Sequence, residues 1–511
     1  MNRNYAQPFF EQSKRTPDHL ALTADGVSLT YGELAFRVAR LAGVLRDRGI
    51  EHGSLVAILG SRSLIAIEAV LATAWSGAAY VPLGVGWPED RLRTVMDRCG
   101  VRTVIADARG QEALTPALSD AAEHVLRPET IDTGEASATL DEPAKVTSEA
   151  LAYIIFTSGT TGVPKGVMAT TGSLRAYVDA LASRKEMTPA DRASQFTELS
   201  FDPSIGEILV PLEAGASLHV VPAISKVSPA RFIRDSELTI WGSAPAAIAW
   251  MRATRSLRPG SLPGLRYTSF GGEPLPLESV RAWQAAAPNS VIDNLYGPTE
   301  ATVDCVGQTV APGAEPVVTP GRGTLAIGTP HPGSELAVLG PDRRFLDAEE
   351  VGELAIAGLQ LTKGYLDEPA LTAERFPWIE GKRWYLTGDR ALRDLSGLYH
   401  HMGRLDHQIK FHGHRVELED IEAHLRSISG AEQVAVVAWP FEDGVARAII
   451  AFLAPSAMSE SDLRAGLRER LPAHMVPSAI HVLTTLPVGA NGKIDRQALI
   501  SLLEVDPPED R

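Results

Sequence analysis

The alternation of short apolar runs with helical periodicity from Thr30 to Phe156 most constrains what this chain can fold into. Thr30-Tyr-Gly-Glu33 has the spacing of a capping box, which satisfies two backbone N–H groups at a helix start. Leu34, Val38, Leu41, Ala42 and Leu45 then share one helical face, and Gly49 marks the stop. Ser54–Gly60 (SLVAILG) reads as a buried strand, Ile65, Ile67, Ala69 and Leu71 as a second helix, and Thr103–Asp107 (TVIAD) as another strand. Strands alternating with helices predict a parallel α/β sheet. The segment Ala108–Lys145, richer in Ala, Glu, Ser and Pro, is expected to be irregular or peripheral. A short apolar strand, Leu151–Phe156 (LAYIIF), then runs into Thr157–Gly166 (TSGTTGVPKG), so a loop rich in hydroxyls and glycine follows a strand, where nucleotide loops lie.

A chain of 511 residues is too long for one hydrophobic core and predicts at least two domains. The pattern changes near residue 404. Leu418, Ile421, Leu425 and Ile428 form one helical face that ends at Gly430. QVAVVAW and ARAIIAFLA follow as strands, Leu463, Leu467 and Leu471 mark a second amphipathic helix, and AIHVL precedes GANGKIDRQAL. This is a small α+β unit, and the expected division is 1–405 and 406–511.

Composition excludes several classes. Lys plus Arg number 48 against 63 Asp plus Glu, and a net charge of -15 repels a nucleic-acid backbone. The first twenty residues hold no apolar signal core, and the most apolar run, Leu64 to Val85, is interrupted by Glu68, Gly77 and Pro82, so no membrane span is expected. Cys99 and Cys305 are far apart and form no metal or disulfide pattern. A cytoplasmic, multi-domain enzyme is the expectation.

The Walker A order G-x-x-x-x-G-K-[ST] fails here, because Val163-Pro164 separates Gly162 from Lys165 and Gly166 follows the lysine. What remains is a set of hydroxyls on Thr157, Ser158, Thr160 and Thr161, close backbone approach at Gly159, Gly162 and Gly166, and the Lys165 cation. Such a loop can wrap a polyphosphate, and the plain alternative is a Gly/Thr turn with a surface lysine. In Asn294–Glu300 (NLYGPTE), Tyr296 offers a flat face to a base, Asn294 an amide for an adenine edge and Glu300 an oxygen ligand for Mg²⁺. The alternative there is a turn around Gly297-Pro298. Asp389 in YLTGD reads as an exposed acid after a strand, either a ribose ligand or a turn former. Asn491-Gly492 signals a turn and puts Lys493 at an exposed tip.

GAAYVPL, FTSGTTGVPKGV, FDPSIGEIL, NLYGPTEAT, GELAIAGLQLTKGYLDEPALTAERF, YLTGD, GRLDHQIKFHGHRVELEDIE and NGKIDR occur in this order over most of the chain. Together they resemble the adenylate-forming enzymes, and more narrowly the amino-acid adenylation domains of nonribosomal peptide synthesis, in a free-standing form. The resemblance implies an α/β fold: a large N-terminal domain of two doubly wound β-α subdomains plus a small distorted β-barrel, followed by a small mobile α+β domain. It implies ATP and Mg²⁺, attack of an amino-acid carboxylate on the α-phosphate, release of pyrophosphate, and transfer of the aminoacyl group to the phosphopantetheine thiol of a separate carrier protein. A monomer is the family's habit.

The resemblance also assigns roles. Lys493 matches the lysine that bridges carboxylate and α-phosphate, Glu300 the Mg²⁺ ligand, and Asp389 and Arg404 the ribose ligands. Gly271, Gly272, Glu273, Asn294, Tyr296, Gly297 and Thr299 line the adenine slot and its edge. The Thr157–Lys165 loop, with Thr161 counted among the catalytic groups, steadies the leaving pyrophosphate. Asp406 falls at the hinge of the small domain, and Gly413 in the pantetheine tunnel. Asp202 matches the acid that pairs with the substrate α-ammonium, and Pro203, Gly206, Gly242, Thr268, Phe270, Leu295, Val303 and Asp304 match the side-chain pocket. Gly206 and Gly242 are expected to leave volume, and Asp304 to accept a distal cation, which suggests a basic or a β-amino acid. Gly84 stands where the family has an acid, a local departure. After NGKIDR only a short tail follows, so the carrier protein is expected on another chain. A D-alanine–carrier protein ligase and an acyl- or aryl-CoA synthetase are the alternatives, and Asp202 speaks against the second.

Overall fold

The computed structural model describes residues 4–128, 142–157, 164–223, 225, 229–405, 408–411, 413–431, 433–442, 445–454, 456, 458–488 and 494–505. Thr30 Oγ1 accepts from the Glu33 N–H, and the Glu33 carboxylate accepts from the Thr30 N–H at 2.8 Å, so the capping box forms and opens the helix Tyr31–Asp47. The next helix, Leu64–Trp75, is buried on every side. A helix with no polar face must lie between layers, and it shares one core with residues from the two main sheets.

Among the described residues the first sheet has six strands, in the order His124–Leu126, Thr103–Ala106, Leu55–Leu59, Ala79–Leu83, Leu151–Thr157 and Lys165–Thr170. All neighbours are parallel except the last two. The expected irregular segment is more ordered than its composition suggested. Asp107 and Thr115 cap the short helices Ala108–Ala113 and Pro116–Ala121, and His124–Leu126 adds the edge strand. Within that segment, 129–141 lies outside the described residues.

The second sheet has nine described strands, with a parallel centre made by Val291–Tyr296, Tyr267–Gly271, Ile240–Ser243, Arg192–Gln195, Ser217–Val220 and Leu20–Ala24. A small β unit follows, a four-stranded antiparallel sheet of Ser334–Leu339, Gly352–Gly358, Tyr385–Arg393 and Tyr399–Arg404. The C-terminal segment opens with the hairpin Gln408–Phe411 and His414–Glu417, then the helix Leu418–Ser429, capped by Gly430 at φ 67°. A three-stranded sheet and the helices Glu460–Arg468 and Arg496–Val505 complete it. Leu471 lies beyond the helix expected to carry it, yet is buried in the same core as Leu463 and Leu467. The C-terminal ends of Leu151–Thr157, Ile240–Ser243, Tyr267–Gly271 and Val291–Tyr296 meet at one cleft, the general ligand position in such sheets.

Asp107 holds the end of the first sheet together. Its Oδ2 accepts from Ser61 N, Ser61 Oγ and Ser63 Oγ at 2.8, 2.9 and 2.8 Å, and its Oδ1 accepts from Gly110 N at 2.7 Å. Asp107→Ala removes a helix cap and orphans buried donors, and is expected to cost about 2–3 kcal/mol, read as a lower urea midpoint in chemical denaturation.

Candidate active site

Two adjoining cavities share the wall made by Gly272, Leu295, Tyr296, Asp389, Arg404 and Lys410. One, of about 540 Å³, is flanked by Glu273, Asn294 and the small β unit. The other, of about 320 Å³, runs between the ends of the parallel strands toward Asp202, Glu207 and Asp304.

Asp389 is not the exposed acid expected from its sequence. It lies within the strand Tyr385–Arg393, 5 % exposed, and accepts from the Tyr296 hydroxyl, from Arg404 Nη1 at 3.0 Å and from the His401 ring at 3.2 Å. Burial pushes its carboxyl up, but the His401 hydrogen bond and the His401, Arg404 and Lys410 charges outweigh it and hold the group well below the usual range. An anion so fixed, one wall away from an aromatic face, suits ribose hydroxyls. The Lys410 ammonium stands 5.3 Å from the centre of the Tyr296 ring. Asn294 already donates its amide to Ala326 O at 2.9 Å, which leaves its carbonyl oxygen for a base.

Glu300 is buried and accepts from the Tyr365 hydroxyl and from Arg415 Nη1, each at 2.8 Å. Desolvation raises its carboxyl, yet Arg415 and the Tyr365 bond keep it below the ordinary value. Arg415 comes from the C-terminal hairpin, whose tip also donates from Gly413 N to Glu273 Oε1 at 2.5 Å. Phe201 meets His414 edge-on at 4.7 Å, and His414 stacks on His474 at 3.7 Å. The hairpin therefore fills the mouth of the cleft. Among the phosphate-loop residues, Thr157 and Lys165 face each other across the antiparallel pair. Burial lowers the Lys165 ammonium, and Glu417 counters it. Ser158, Gly159, Thr160, Thr161 and Gly162 lie outside the described residues, as do Asp406 and Lys493.

Asp202 stands at the start of the helix Pro203–Ala214, partly open to the smaller cavity, with its Oδ2 buried and unpartnered. Burial raises it to about 6, against the Thr299 hydroxyl. Asp304 is 7 % exposed and its Oδ1 also lacks a hydrogen bond. Burial and the Asp293 charge raise it to about 7, while Lys185 and Arg184 pull it down. His331 Nδ1 lies 3.6 Å from Asp304, beyond bonding distance, and burial lowers that imidazole to about 4, so it is neutral and offers no counter-charge.

The turn that carries Asp304 is strained. Thr302 and Val303 have φ of 53° and 74°, a conformation rare for β-branched residues. Thr302 Oγ1 donates to Gln360 O at 2.6 Å, and Gln360 Nε2 donates to Asp304 O at 2.7 Å. A Cβ at Gly297 would lie 2.4 Å from both Asp304 Cα and Val303 O, so only glycine passes under this turn.

Three pocket expectations need correction. Thr268 and Phe270 do not line the cavity. Thr268 shares a hydrogen bond with Ser290 at 2.9 Å and accepts from Trp283 Nε1 at 3.1 Å, and Phe270 meets the Trp283 ring edge-on at 5.1 Å. Successive strand residues face opposite ways, so the cavity is lined by Ser269 and Gly271 instead. Gly206 leaves no volume, because a Cβ there would stand 2.2 Å from the Tyr177 hydroxyl, which fills the space. Gly242 does leave room, its nearest neighbours being Ser269 Oγ and Glu207 Oε1 at 3.3 and 3.5 Å from a built Cβ. Pro203, Leu295 and Val303 line the cavity. Tyr177, Lys185 and Glu207 also line it, although nothing in the sequence set them apart.

The model of the family "AMP-binding enzyme" matches residues 9–366, and that of "AMP-binding enzyme C-terminal domain" matches 420–493. Tyrocidine synthase 2 of Brevibacillus parabrevis is 33% identical over 500 residues, which cover 96% of this chain and 13% of that protein. The chain thus spans a small part of that relative. AlmE of Vibrio cholerae, an adenylation domain solved in complex with glycyl-adenosine-5'-phosphate, superimposes with a TM-score of 0.86 at 28% identity, covering 99% and 98% of the two chains. An artificially fused adenylation–PCP di-domain, NpsA-ThdA of Klebsiella oxytoca, gives 0.81 at 26% identity and 95% of each. The chain belongs to the AMP-binding enzyme family, as an adenylation domain of the nonribosomal peptide synthetase type, and is an adenylate-forming ligase.

The two raised carboxyls set a pH dependence. Each accepts an N–H or ammonium group best when ionised, and each is protonated as pH falls through its value. The kcat/KM for the amino acid is expected to be flat above about pH 8 and to fall through apparent values near 7 and 6. Asp304→Asn is expected to remove the upper step and keep the lower, in pyrophosphate-exchange kinetics from about pH 5.5 to 9.

Proposed function

We propose that this chain activates an amino acid as aminoacyl-AMP from ATP, releasing pyrophosphate, and then passes it to the phosphopantetheine thiol of a carrier protein. The observation that carries the reading is Asp202, an acid with an unpartnered oxygen that faces a cavity contiguous with the Tyr296–Asp389–Arg404 wall. An α-ammonium neutralises it and turns the substrate carboxylate toward the nucleotide. AlmE was solved with an aminoacyl adenylate, and NpsA-ThdA joins an adenylation domain to a PCP, which supports both halves of the proposal.

In this reading residues 1–405 form the core and 406–511 a lid that turns about Asp406. Asp389 and Arg404 hold the ribose, and Tyr296 with Asn294 holds the base. Thr157, Lys165 and the loop between them hold the departing phosphates, and Lys493 bridges the two reacting groups. Gly271, Gly272, Glu273, Gly297 and Thr299 close the floor of the slot. Among the described residues no cluster of three metal-ligating side chains occurs. In this reading Mg²⁺ would rest on Glu300, a hard oxygen ligand, together with substrate phosphates. The carboxylate fits that role, since it now holds a cation of another kind, Arg415. When bound, the ion neutralises phosphate charge. In this reading the C-terminal hairpin, with Arg415 on Glu300 and Gly413 on Glu273, is the part of the lid that reaches into the cleft. Asp304 asks for a second N–H-bearing group on the substrate, and a basic side chain or a β-amino group is the form the sequence suggested.

Amino-acid-dependent ATP–pyrophosphate exchange over a panel of L-, D-, β- and basic amino acids tests the reading. Exchange with some of these is the expected result. A preference for D-alanine would move the protein to the D-alanine–carrier ligases, and turnover of a simple carboxylic acid with coenzyme A, without any exchange on amino acids, would overturn the proposal. Lys493→Ala is expected to lower exchange by about a thousandfold while sparing thioester formation from supplied adenylate. Asp304→Ala is expected to weaken a nitrogen-bearing side chain far more than an aliphatic one.

A further inference from the structure

The helix Thr171–Lys185 ends against the smaller cavity, and its last residue lines that cavity beside Tyr177, Glu207 and Asp304. Lys185 is 6 % exposed. Among the described residues no hydrogen bond or ion pair holds its ammonium. The carboxylates around it are of two kinds. Glu207 is engaged by Phe196 N, Thr197 N and Thr197 Oγ1 at 2.9, 2.9 and 2.8 Å, and Asp293 by Arg184 and Tyr267. Asp304 is the one with a buried oxygen left over. Burial lowers the Lys185 ammonium, while Glu207, Asp304 and Asp293 favour its charged form.

The far end of the cavity therefore presents one unpaired donor and one unpaired acceptor that do not pair with each other. Buried charges and polar groups without partners are unfavourable, so a ligand that satisfies both gains most. A bare amine answers Asp304 and puts a second cation before Lys185. A carboxylate answers Lys185 and meets the Asp304 charge. A carboxamide carries an oxygen acceptor and N–H donors on one carbon and satisfies both.

We propose that Lys185 is a specificity residue of the amino-acid pocket, and that the substrate side chain carries a carboxamide-like head with its oxygen on Lys185 and its N–H on Asp304. This rests on the amino-acid reading above and narrows it, keeping the nitrogen donor that Asp304 asks for and adding an acceptor.

The test compares carboxamide and amine side chains of similar length, L-glutamine with L-ornithine and L-asparagine with L-2,4-diaminobutyrate, in pyrophosphate exchange and in thermal melting with each amino acid. One carboxamide is expected to exceed its matched amine by about tenfold or more in kcat/KM. Lys185→Met, close in shape but without charge, is expected to lose about that factor with the carboxamide and to improve the amine. Without substrate, the variant is expected to melt at or above the wild-type temperature, because it removes an unpaired buried charge. An amine preferred by the wild type and unaffected by Lys185→Met overturns the proposal. So does a variant that melts lower and loses all amino acids alike, which makes Lys185 structural. Wild-type protein that exchanges with no amino acid overturns the amino-acid reading itself, and this proposal with it.

Discussion

The ion pair between Glu300 and Arg415 is the contact on which this arrangement of the molecule depends. Glu300 lies at the bottom of the cleft, where a carboxylate without a counter-charge is very costly. Tyr365 supplies one hydrogen bond but no charge, so a cation must come from elsewhere. Here it arrives on the C-terminal hairpin, and with it come the bond from Gly413 to Glu273 and the Phe201–His414–His474 ring contacts. The C-terminal hairpin is thus held in the cleft partly by an anion from the cleft floor. Any cation that takes Arg415's place at Glu300 removes the charge that holds the hairpin there.

The same logic runs through the rest of the site. Asp389 is matched by Arg404 and His401, Asp293 by Arg184, and Glu207 by the donors of Phe196 and Thr197. These buried anions are satisfied by the protein. Asp202 and Asp304 each keep a buried oxygen without a partner, in the cavity that the Lys185 side chain also lines. The groups left unsatisfied mark the surface that is complementary to a substrate.

Much of the fold was legible from local pattern. The capping box at Thr30, the apolar runs at Leu55 and Leu151 and the stop at Gly430 each act within a few residues, and each appears where it was read. The site was legible in its motifs and illegible in its directions. The strand Tyr267–Gly271 is buried on both faces, so no polar alternation says which side chains meet the cleft, and the choice fell on Thr268 and Phe270 rather than Ser269 and Gly271. Gly206 suggested open space, but the side chain that fills it comes from another helix, at Tyr177. Lys185 resembles any basic residue in a helix's last turn, where the helix dipole favours positive charge, and only tertiary packing turns it inward. Asp389 looked exposed because its partners Tyr296 and His401 lie on other strands.

The turn at Thr302–Asp304 has a consequence for how such a pocket changes over evolutionary time. Its left-handed backbone is anchored through Gln360 and passes over Gly297, none of which involves the Asp304 carboxylate. Position and identity are thereby decoupled: the scaffold fixes where the Cα of residue 304 stands, and the side chain mounted there is free to vary. A single codon can exchange the chemical group at the pocket's end while the loop keeps its shape, whereas a change at Gly297 or Gln360 would disturb the mount itself. Selection for a new substrate can work on the first without first having to rebuild the second.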